Sequence, residues 1–251
     1  LLFTSGTNGT PKAVPLCHQH FVANVTALLS EHIIANGDRV LLPLPLHHTY
    51  PFTVGMLTGL ASGATLVMPA GATGPQLMHA VKLSNVAAII GVPGLYRAIV
   101  NGIEARIARR GRLARLAFNG MLALSIWWRR RVGLRVGRFL FARLHAEFGG
   151  RLRVLGCGGA KLDPEVAWKL EGWGWQVLSG YGLTETAPIL TFNPPHRARL
   201  GSEGLPIPGV HLRIEAPAGA PYGEILASGP SVFDGYLNNP AATASSFAEP
   251  R

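Results

Sequence analysis

The 251-residue chain is 48% hydrophobic and 14% charged, with 31 glycines, 19 prolines and a formal net charge of +10. So much apolar surface with so little charge excludes a disordered tail, and glycine and proline scattered among apolar runs exclude a collagen-like or low-complexity chain. Two cysteines, Cys17 and Cys157, cannot build a disulfide scaffold, which points to a reducing compartment, and the length supplies core for one large domain or two smaller ones.

Leu1-Leu2-Phe3 runs straight into a glycine-rich loop. No charged n-region, apolar stretch and cleavage site precede it, so no signal peptide is expected, and both ends read as cut positions. Short apolar runs then alternate with helical patterns. Strands are predicted at 39–44, 65–68, 87–91, 152–155, 176–178, 210–214 and 224–227, and helices at 20–35, 75–83, 94–108, 122–148 and 164–172. Asp163-Pro164 supplies an N-cap followed by proline in the first turn. The alternation predicts an α/β fold of parallel-rich sheets flanked by helices. From about residue 201 helices vanish and short Gly/Pro-bounded strands predict a β-rich portion. The expected division is an α/β core over 1–200 and the start of a β-rich subdomain over 201–251. No internal repeat is visible. No apolar run reaches membrane-spanning length; residues 121–128 fall far short.

The positive charge is local. Residues 104–153 hold 13 arginines and two glutamates, +11 in all, which leaves −1 for the remainder. Three readings fit this segment: a solvated helix face packed on its other side by Leu, Phe and Val; a membrane-surface helix whose Trp127-Trp128 and leucines sink while arginines meet anionic headgroups; and a nucleic-acid contact. No nucleic-acid module accompanies the charge, so no nucleic acid is expected as a partner.

Three short stretches could carry chemistry. Thr4-Ser5-Gly6-Thr7-Asn8-Gly9-Thr10-Pro11-Lys12 combines glycines, hydroxyls and a lysine after a strand, which suits wrapping a polyphosphate. It lacks the Gly-Lys-Ser/Thr ending of a P-loop, and a polar surface turn is the alternative. Gly156-Cys157-Gly158-Gly159-Ala160 follows a strand and would let a flat ring approach the backbone, or is a tight strand-to-helix turn. Gly180-Tyr181-Gly182-Leu183-Thr184-Glu185-Thr186 offers a stacking face, a hydroxyl and a hard oxygen ligand for Mg²⁺ beyond a strand's C-terminal end; its plain reading is a turn with a solvated acid. His47-His48 lacks the acid or cysteine cluster of a metal site, His18-Gln19-His20 reads as the start of a helix, and no Gly-x-Ser-x-Gly elbow exists.

Taken in this order, the three stretches resemble the adenylate-forming superfamily of acyl-CoA synthetases, luciferases and peptide-synthetase adenylation domains. The resemblance continues through Leu44-Pro45-Leu46-His47-His48, then Gly201-Ser202-Glu203-Gly204-Leu205-Pro206-Ile207-Pro208-Gly209, Gly223-Glu224-Ile225-Leu226 and Gly235-Tyr236-Leu237-Asn238-Asn239-Pro240. The basic stretch 135–160 looks like the helix-rich insertion of long-chain fatty-acyl-CoA synthetases, which take substrates from bilayers.

The resemblance implies ATP-dependent activation of a long-chain fatty acid through an acyl-adenylate and transfer to CoA, with ATP, Mg²⁺ and CoA as cofactors. It assigns Thr4, Ser5, Gly6, Thr7, Asn8, Gly9 and Lys12 to the phosphates, and Gly158, Gly159, Ala160, Gly180, Tyr181 and Gly182 to the adenine. It puts Thr184 on the α-phosphate, Glu185 on the metal and His48 beside the substrate carboxylate; Lys12, Thr184 and Glu185 are its catalytic group. Residues 44–54 and 91–96 would line the acyl site. Two positions depart from the family pattern: Asn8 stands for a usual Ser or Thr, which keeps hydrogen-bonding capacity, and Ala13 stands for a usual Gly, which stiffens the loop. The family's ribose-binding Asp, expected shortly after Ala242-Thr243, its hinge, its small C-terminal domain with the adenylation lysine and its N-terminal portion have no counterpart here. The chain therefore reads as part of the family's large domain, inactive alone. It is expected in the cytoplasm, with peripheral contact at a membrane's inner face. Loading of a carrier-protein thiol, and a non-catalytic remnant that binds nucleotide or membrane, stand as alternatives.

Overall fold

A computed structural model describes residues 1–4, 11–217 and 219–248. In chain order the elements are β1 (Leu2–Thr4), β2 (Lys12–Val14), α1 (His18–Leu29), β3 (Arg39–Leu41), a π-helical stretch (Pro51–Leu57) running into α2 (Thr58–Ala61), β4 (Thr65–Val67), α3 (Gly74–Ser84), β5 (Ala88–Gly91), α4 (Pro93–Ala108), α5 (Arg112–Arg131), α6 (Gly137–Leu140) and α7 (Ala142–Glu147). Then follow β6 (Val154–Cys157), α8 (Pro164–Gly172), β7 (Gln176–Gly182), a 3₁₀ turn (Thr184–Thr186), β8 (Ile189–Phe192), β9 (Leu205–Pro206), β10 (His211–Glu215), β11 (Glu224–Ser228) and α9 (Pro240–Ala244).

Seven strands form the main sheet in the order β4-β3-β5-β6-β7-β8-β9. Pairing is parallel from β4 through β7 and antiparallel from β7 to β9. β5 and β6 are buried at every position, as parallel strands covered on both faces must be. Successive side chains point to opposite faces. Leu41, Ile89, Leu155 and Val177 therefore join one apolar cluster with Tyr96, Leu170, Trp173 and Trp175. Their neighbours Val40, Ala88, Val154 and Leu178 join another with Tyr50, Val54 and the chain just after α1. The result is a helix–sheet–helix sandwich, the expected α/β class. β1–β2 and β10–β11 are separate antiparallel pairs.

Helix starts follow local chemistry. The Asp163 carboxylate accepts from Glu165 N at 2.8 Å ahead of Pro164, and the Thr73 hydroxyl donates to Gln76 at 2.7 Å at the head of α3. Four expectations need correction. The single helix over 122–148 is split into α5, α6 and α7, because Val132-Gly133 leaves helical geometry, with Gly133 at φ +78°. Helices do not vanish after residue 201: Asn239 accepts from Ala242 N at 3.0 Å and, with Pro240 in the first turn, caps α9. The strand expected at 39–44 stops at Leu41, two residues before Pro43, and that expected at 152–155 lies at Val154–Cys157. The short β8 and β9 were not anticipated.

Much of the basic segment serves the fold. Glu171 is 0% exposed. Its carboxylate accepts from Arg129 Nε at 2.7 Å, Arg135 Nε at 3.1 Å and Val177 N at 2.9 Å. Arg153 pairs with Asp38 and donates to Ile33 O, Arg106 pairs with Glu147, and Arg130 lies 4.2 Å from the Trp168 ring centroid. The outer face of α5 is a different matter. Leu113, Leu116, Leu124 and Trp127 fall at helical spacing and are 84%, 68%, 50% and 52% exposed. Among the described residues no helix is long and apolar enough to cross a membrane.

Removing one partner of a buried charge cluster strands the others. Glu171→Ala is expected to cost about 3 kcal/mol in urea unfolding, against about 0.5–1 kcal/mol for Arg130→Gln, which gives up only a stacked cation. Equal urea midpoints for the two variants would contradict this ranking.

Candidate active site

β7 changes partner along its length. Gln176 to Ser179 pair with parallel β6, and Gly180 to Gly182 pair with antiparallel β8. The expected turn Gly180-Tyr181-Gly182 is thus the last part of a strand, longer than the predicted 176–178. At that switch, beyond the C-terminal ends of the parallel strands, lies a cavity of about 860 Å³.

Its polar part is built from distant stretches of chain. Thr4 and Lys12 pair across β1–β2, which brings the two ends of the glycine-rich loop together at the cavity. Gly158, Gly159, Gly180, Tyr181, Gly182, Thr184, Glu185 and His48 line the same space. Ala160 is exposed and is not part of the lining. Ser5, Gly6, Thr7, Asn8 and Gly9 lie outside the described residues. Of the span 91–96 only Val92 reaches the cavity. Tyr96 is fully buried in the core, its hydroxyl 2.6 Å from Gly156 O and 3.0 Å from Ile89 O, because a buried phenol needs an acceptor within reach. The span 44–54 does contribute, through Leu44, Pro45, His48, Thr49, Tyr50, Pro51 and Val54.

The turn that carries Thr184 and Glu185 is held from beneath. Asn24 of α1 is 0% exposed. Its amide donates to Thr186 O at 3.1 Å and accepts from Ile189 N at 2.8 Å, replacing a strand neighbour. The Thr186 hydroxyl accepts from Leu183 N at 3.0 Å. Gly182 is required here, since a Cβ would stand 1.7 Å from Pro188 O. A ring approaches the glycine turn as well: the Tyr50 side chain comes within 2.7 Å of where a Gly158 Cβ would stand.

A segment near the end of the chain closes the site from above. Phe233 N donates to Glu185 O at 2.8 Å and Leu237 N to Ala13 O at 2.9 Å. Between them the Tyr236 hydroxyl donates to Glu185 Oε1 at 2.7 Å, and the Lys12 ammonium lies 4.8 Å from the Tyr236 ring centroid. Burial, with the Glu185 carboxylate adding to it, pushes the Tyr236 phenol up to about 12, so it stays a proton donor at neutral pH. Sequence reasoning placed Tyr236 in a motif but gave it no role.

The remaining lining is mostly apolar, with Leu28, Ile33, Ile34, Val54, Ile90, Leu178 and Phe192 beside Thr58, Ser62 and Ser179. A lysine, a carboxylate, hydroxyls and an apolar slot thus share one space. Among the described residues no three His, Cys, Asp or Glu side chains gather as a metal cage. One carboxylate on a cavity wall, with room for phosphate oxygens, is the setting Mg²⁺ takes because it keeps its waters.

The family model for "AMP-binding enzyme" matches residues 1–237. The chain is 30% identical to a feruloyl-CoA synthase from Amycolatopsis sp. over 97% of its own length and 43% of that protein. It is 31% identical to long-chain-fatty-acid–CoA ligase 2 of Schizosaccharomyces pombe over 99% of its length and 39% of that protein. The chain therefore spans less than half of these curated relatives. Among solved structures it resembles the o-succinylbenzoate CoA synthetase of Bacillus subtilis, with a TM-score of 0.73 at 22% identity over 99% of this chain and 44% of that one. That likeness shows the fold. The same enzyme has also been solved with ATP and a magnesium ion, at a TM-score of 0.69.

Cys157 sits in the cavity wall, and burial, with the Glu203 charge adding to it, pushes its thiol up to about 12. The thiolate is the reactive form. Iodoacetamide at pH 8 is therefore expected to alkylate exposed Cys17 alone; intact-mass spectrometry showing two adducts on the folded chain would refute this.

Proposed function

The chain belongs to the AMP-binding enzyme family, and from that premise we propose that it is the nucleotide- and acyl-binding part of an ATP-dependent acid–thiol ligase acting on long-chain fatty acids and CoA. The carrying observation is the single cavity in which Lys12, Thr184 and Glu185 share a space with Leu28, Ile33, Ile34 and Val54. An apolar carboxylate and a polyphosphate would meet there. The fatty-acid ligases among the relatives support the aliphatic choice over the aryl substrate named for the feruloyl-CoA synthase.

On this reading Thr4 and Lys12, with loop residues Ser5, Gly6, Thr7, Asn8 and Gly9, hold the β- and γ-phosphates. Gly158, Gly159, Gly180, Tyr181 and Gly182 border the adenine, Thr184 meets the α-phosphate, and His48 lies beside the substrate carboxylate. Glu185 would hold Mg²⁺, which supplies charge neutralisation for the phosphates. The chain's own work is positioning: donors fixed in place before the reaction meet developing phosphoryl charge with little covalent work. Residues 1–200 then form the nucleotide and acyl core, and 201–251 begin a β-rich subdomain.

The same reading places the protein in the cytoplasm, with α5 against the inner face of a membrane. The exposed row Leu113, Leu116, Leu124 and Trp127 is accompanied on α5 by exposed Arg112, Arg115 and Arg131, apolar and cationic groups that complement an anionic lipid surface. Arg129 is excluded from that role because it holds Glu171.

Two measurements test these readings. The 251-residue chain is expected to bind Mg²⁺·ATP by calorimetry, with Lys12→Ala weakening binding about tenfold or more, the scale of one charge-assisted hydrogen bond. Spanning less than half of its relatives, it is expected to release no pyrophosphate with palmitate; turnover by these residues alone contradicts that. For α5, co-sedimentation with vesicles containing phosphatidylserine should fall severalfold in Leu116→Ser/Trp127→Ser; unchanged binding of that variant would remove α5 docking from the proposal, and equal wild-type binding to neutral vesicles would remove the anionic headgroups.

A further inference from the structure

Lys12 and Glu185 carry opposite charges and line one cavity, yet among the described residues no ion pair joins them. Tyr236 engages both. Its hydroxyl donates to Glu185 Oε1 at 2.7 Å, and its ring centroid lies 4.8 Å from the Lys12 ammonium. The backbone on either side is fastened to the same two stretches, Phe233 N to Glu185 O at 2.8 Å and Leu237 N to Ala13 O at 2.9 Å. Tyr236 N donates to the Thr243 hydroxyl at 2.9 Å, and the Phe233 ring meets the Tyr236 ring edge-on at 4.9 Å. The phenol is thus held by Glu185, Lys12 and the Phe233 ring, and its backbone by three further hydrogen bonds, none of which depends on a bound ligand.

We propose that Tyr236 is a positioning residue that keeps the Lys12 ammonium and the Glu185 carboxylate apart and aimed, so that the first remains available to phosphate and the second to a metal ion. The assignment rests on reading this part of the cavity as the nucleotide–metal site. A direct Lys12–Glu185 pair would neutralise both groups before any ligand arrived, and a phosphate or metal would have to break it. The aromatic face attracts the ammonium without cancelling its charge. The hydroxyl satisfies one carboxylate oxygen and leaves Oε2 for a cation.

The test compares ATP binding with and without Mg²⁺, by calorimetry on the 251-residue chain, for wild type, Tyr236→Phe and Tyr236→Leu, with thermal melting to check each fold. Tyr236→Phe keeps the ring and loses the hydroxyl, so metal-dependent ATP affinity should fall about tenfold while metal-free ATP binding stays within twofold. Tyr236→Leu loses the ring too and should weaken both. A direct readout of the metal ligand accompanies these: Mn²⁺ titration followed by electron paramagnetic resonance, in which Tyr236→Phe should bind less Mn²⁺ in the presence of ATP. Equal loss with and without metal would mean a merely structural role and overturns the assignment, as does wild-type behaviour of Tyr236→Phe. Failure of the wild-type chain to bind ATP at all removes the nucleotide reading instead, and this assignment with it.

Discussion

The buried Glu171 carboxylate is the constraint on which the arrangement of this molecule depends. A carboxylate with no solvent exposure costs several kcal/mol in lost hydration unless its oxygens are fully engaged. Here the engagement comes from three separate pieces of chain: Arg129 at the end of α5, Arg135 in the break that follows, and Val177 N at the start of β7. The first two belong to the basic segment and the third to the strand that ends in Gly180-Tyr181-Gly182. A helix hairpin on one face of the sheet and the strand leading to the cavity are therefore fixed by one side chain. The break after Arg131 is part of the same device, because an unbroken helix would carry Arg135 onward in the direction of α5, away from its present return beside Arg129.

A second set of long-range contacts makes the cavity what it is. Asn24 is 162 residues away in sequence from the turn it supports, and Tyr236 is 51 residues from Glu185. Each replaces a contact that local secondary structure leaves open: Asn24 serves a backbone N–H and C=O at a strand start, and Tyr236 serves an acid that faces the cavity. Groups held this way need little reorganisation when charge arrives, the condition under which fixed dipoles and ions stabilise a phosphoryl group. Rigidity in the site is bought by distant parts of the chain.

That division between local and distant explains what the sequence made legible. The strands at 65–68, 87–91 and 224–227 and the helix at 164–172 were readable because apolar periodicity and the Asp163-Pro164 cap are local signals. Each loop motif alone also reads as a turn; what the structure adds is that Thr4, Lys12, Gly158, Gly159, Gly180, Tyr181, Gly182, Thr184 and Glu185 line one cavity. The helix over 122–148 was misjudged because its apolar pattern continues through Val132-Gly133, and only the tertiary pull of Glu171 shows that the chain must turn there. Tyr96 was assigned to the acyl site by its position in a motif, whereas its hydroxyl meets Gly156 O from a neighbouring strand, 60 residues away. Tyr236 stood in a recognisable motif with no visible duty, since its partners are set by the packing of the chain's last described segment onto β2 and the 3₁₀ turn.

The net charge of +10 has a structural meaning that the total conceals. Arg106, Arg129, Arg135 and Arg153 are spent on acids, Arg138 donates to Gly150 O and Arg130 lies over Trp168, all within or beside the segment that carries the excess. Four of these six arginines face an acid, and the rest of the chain has a net charge near zero. On the proposed reading, attraction of a polyanion to this site would come from short-range groups: one lysine, hydroxyls, backbone N–H groups and any cation that Glu185 would hold. Such contacts act over a hydrogen bond's length and are screened little by salt, unlike a diffuse positive surface. Binding governed this way depends on the aim of a few side chains, which is why a neutral phenol between Lys12 and Glu185 matters more here than ten surplus positive charges elsewhere.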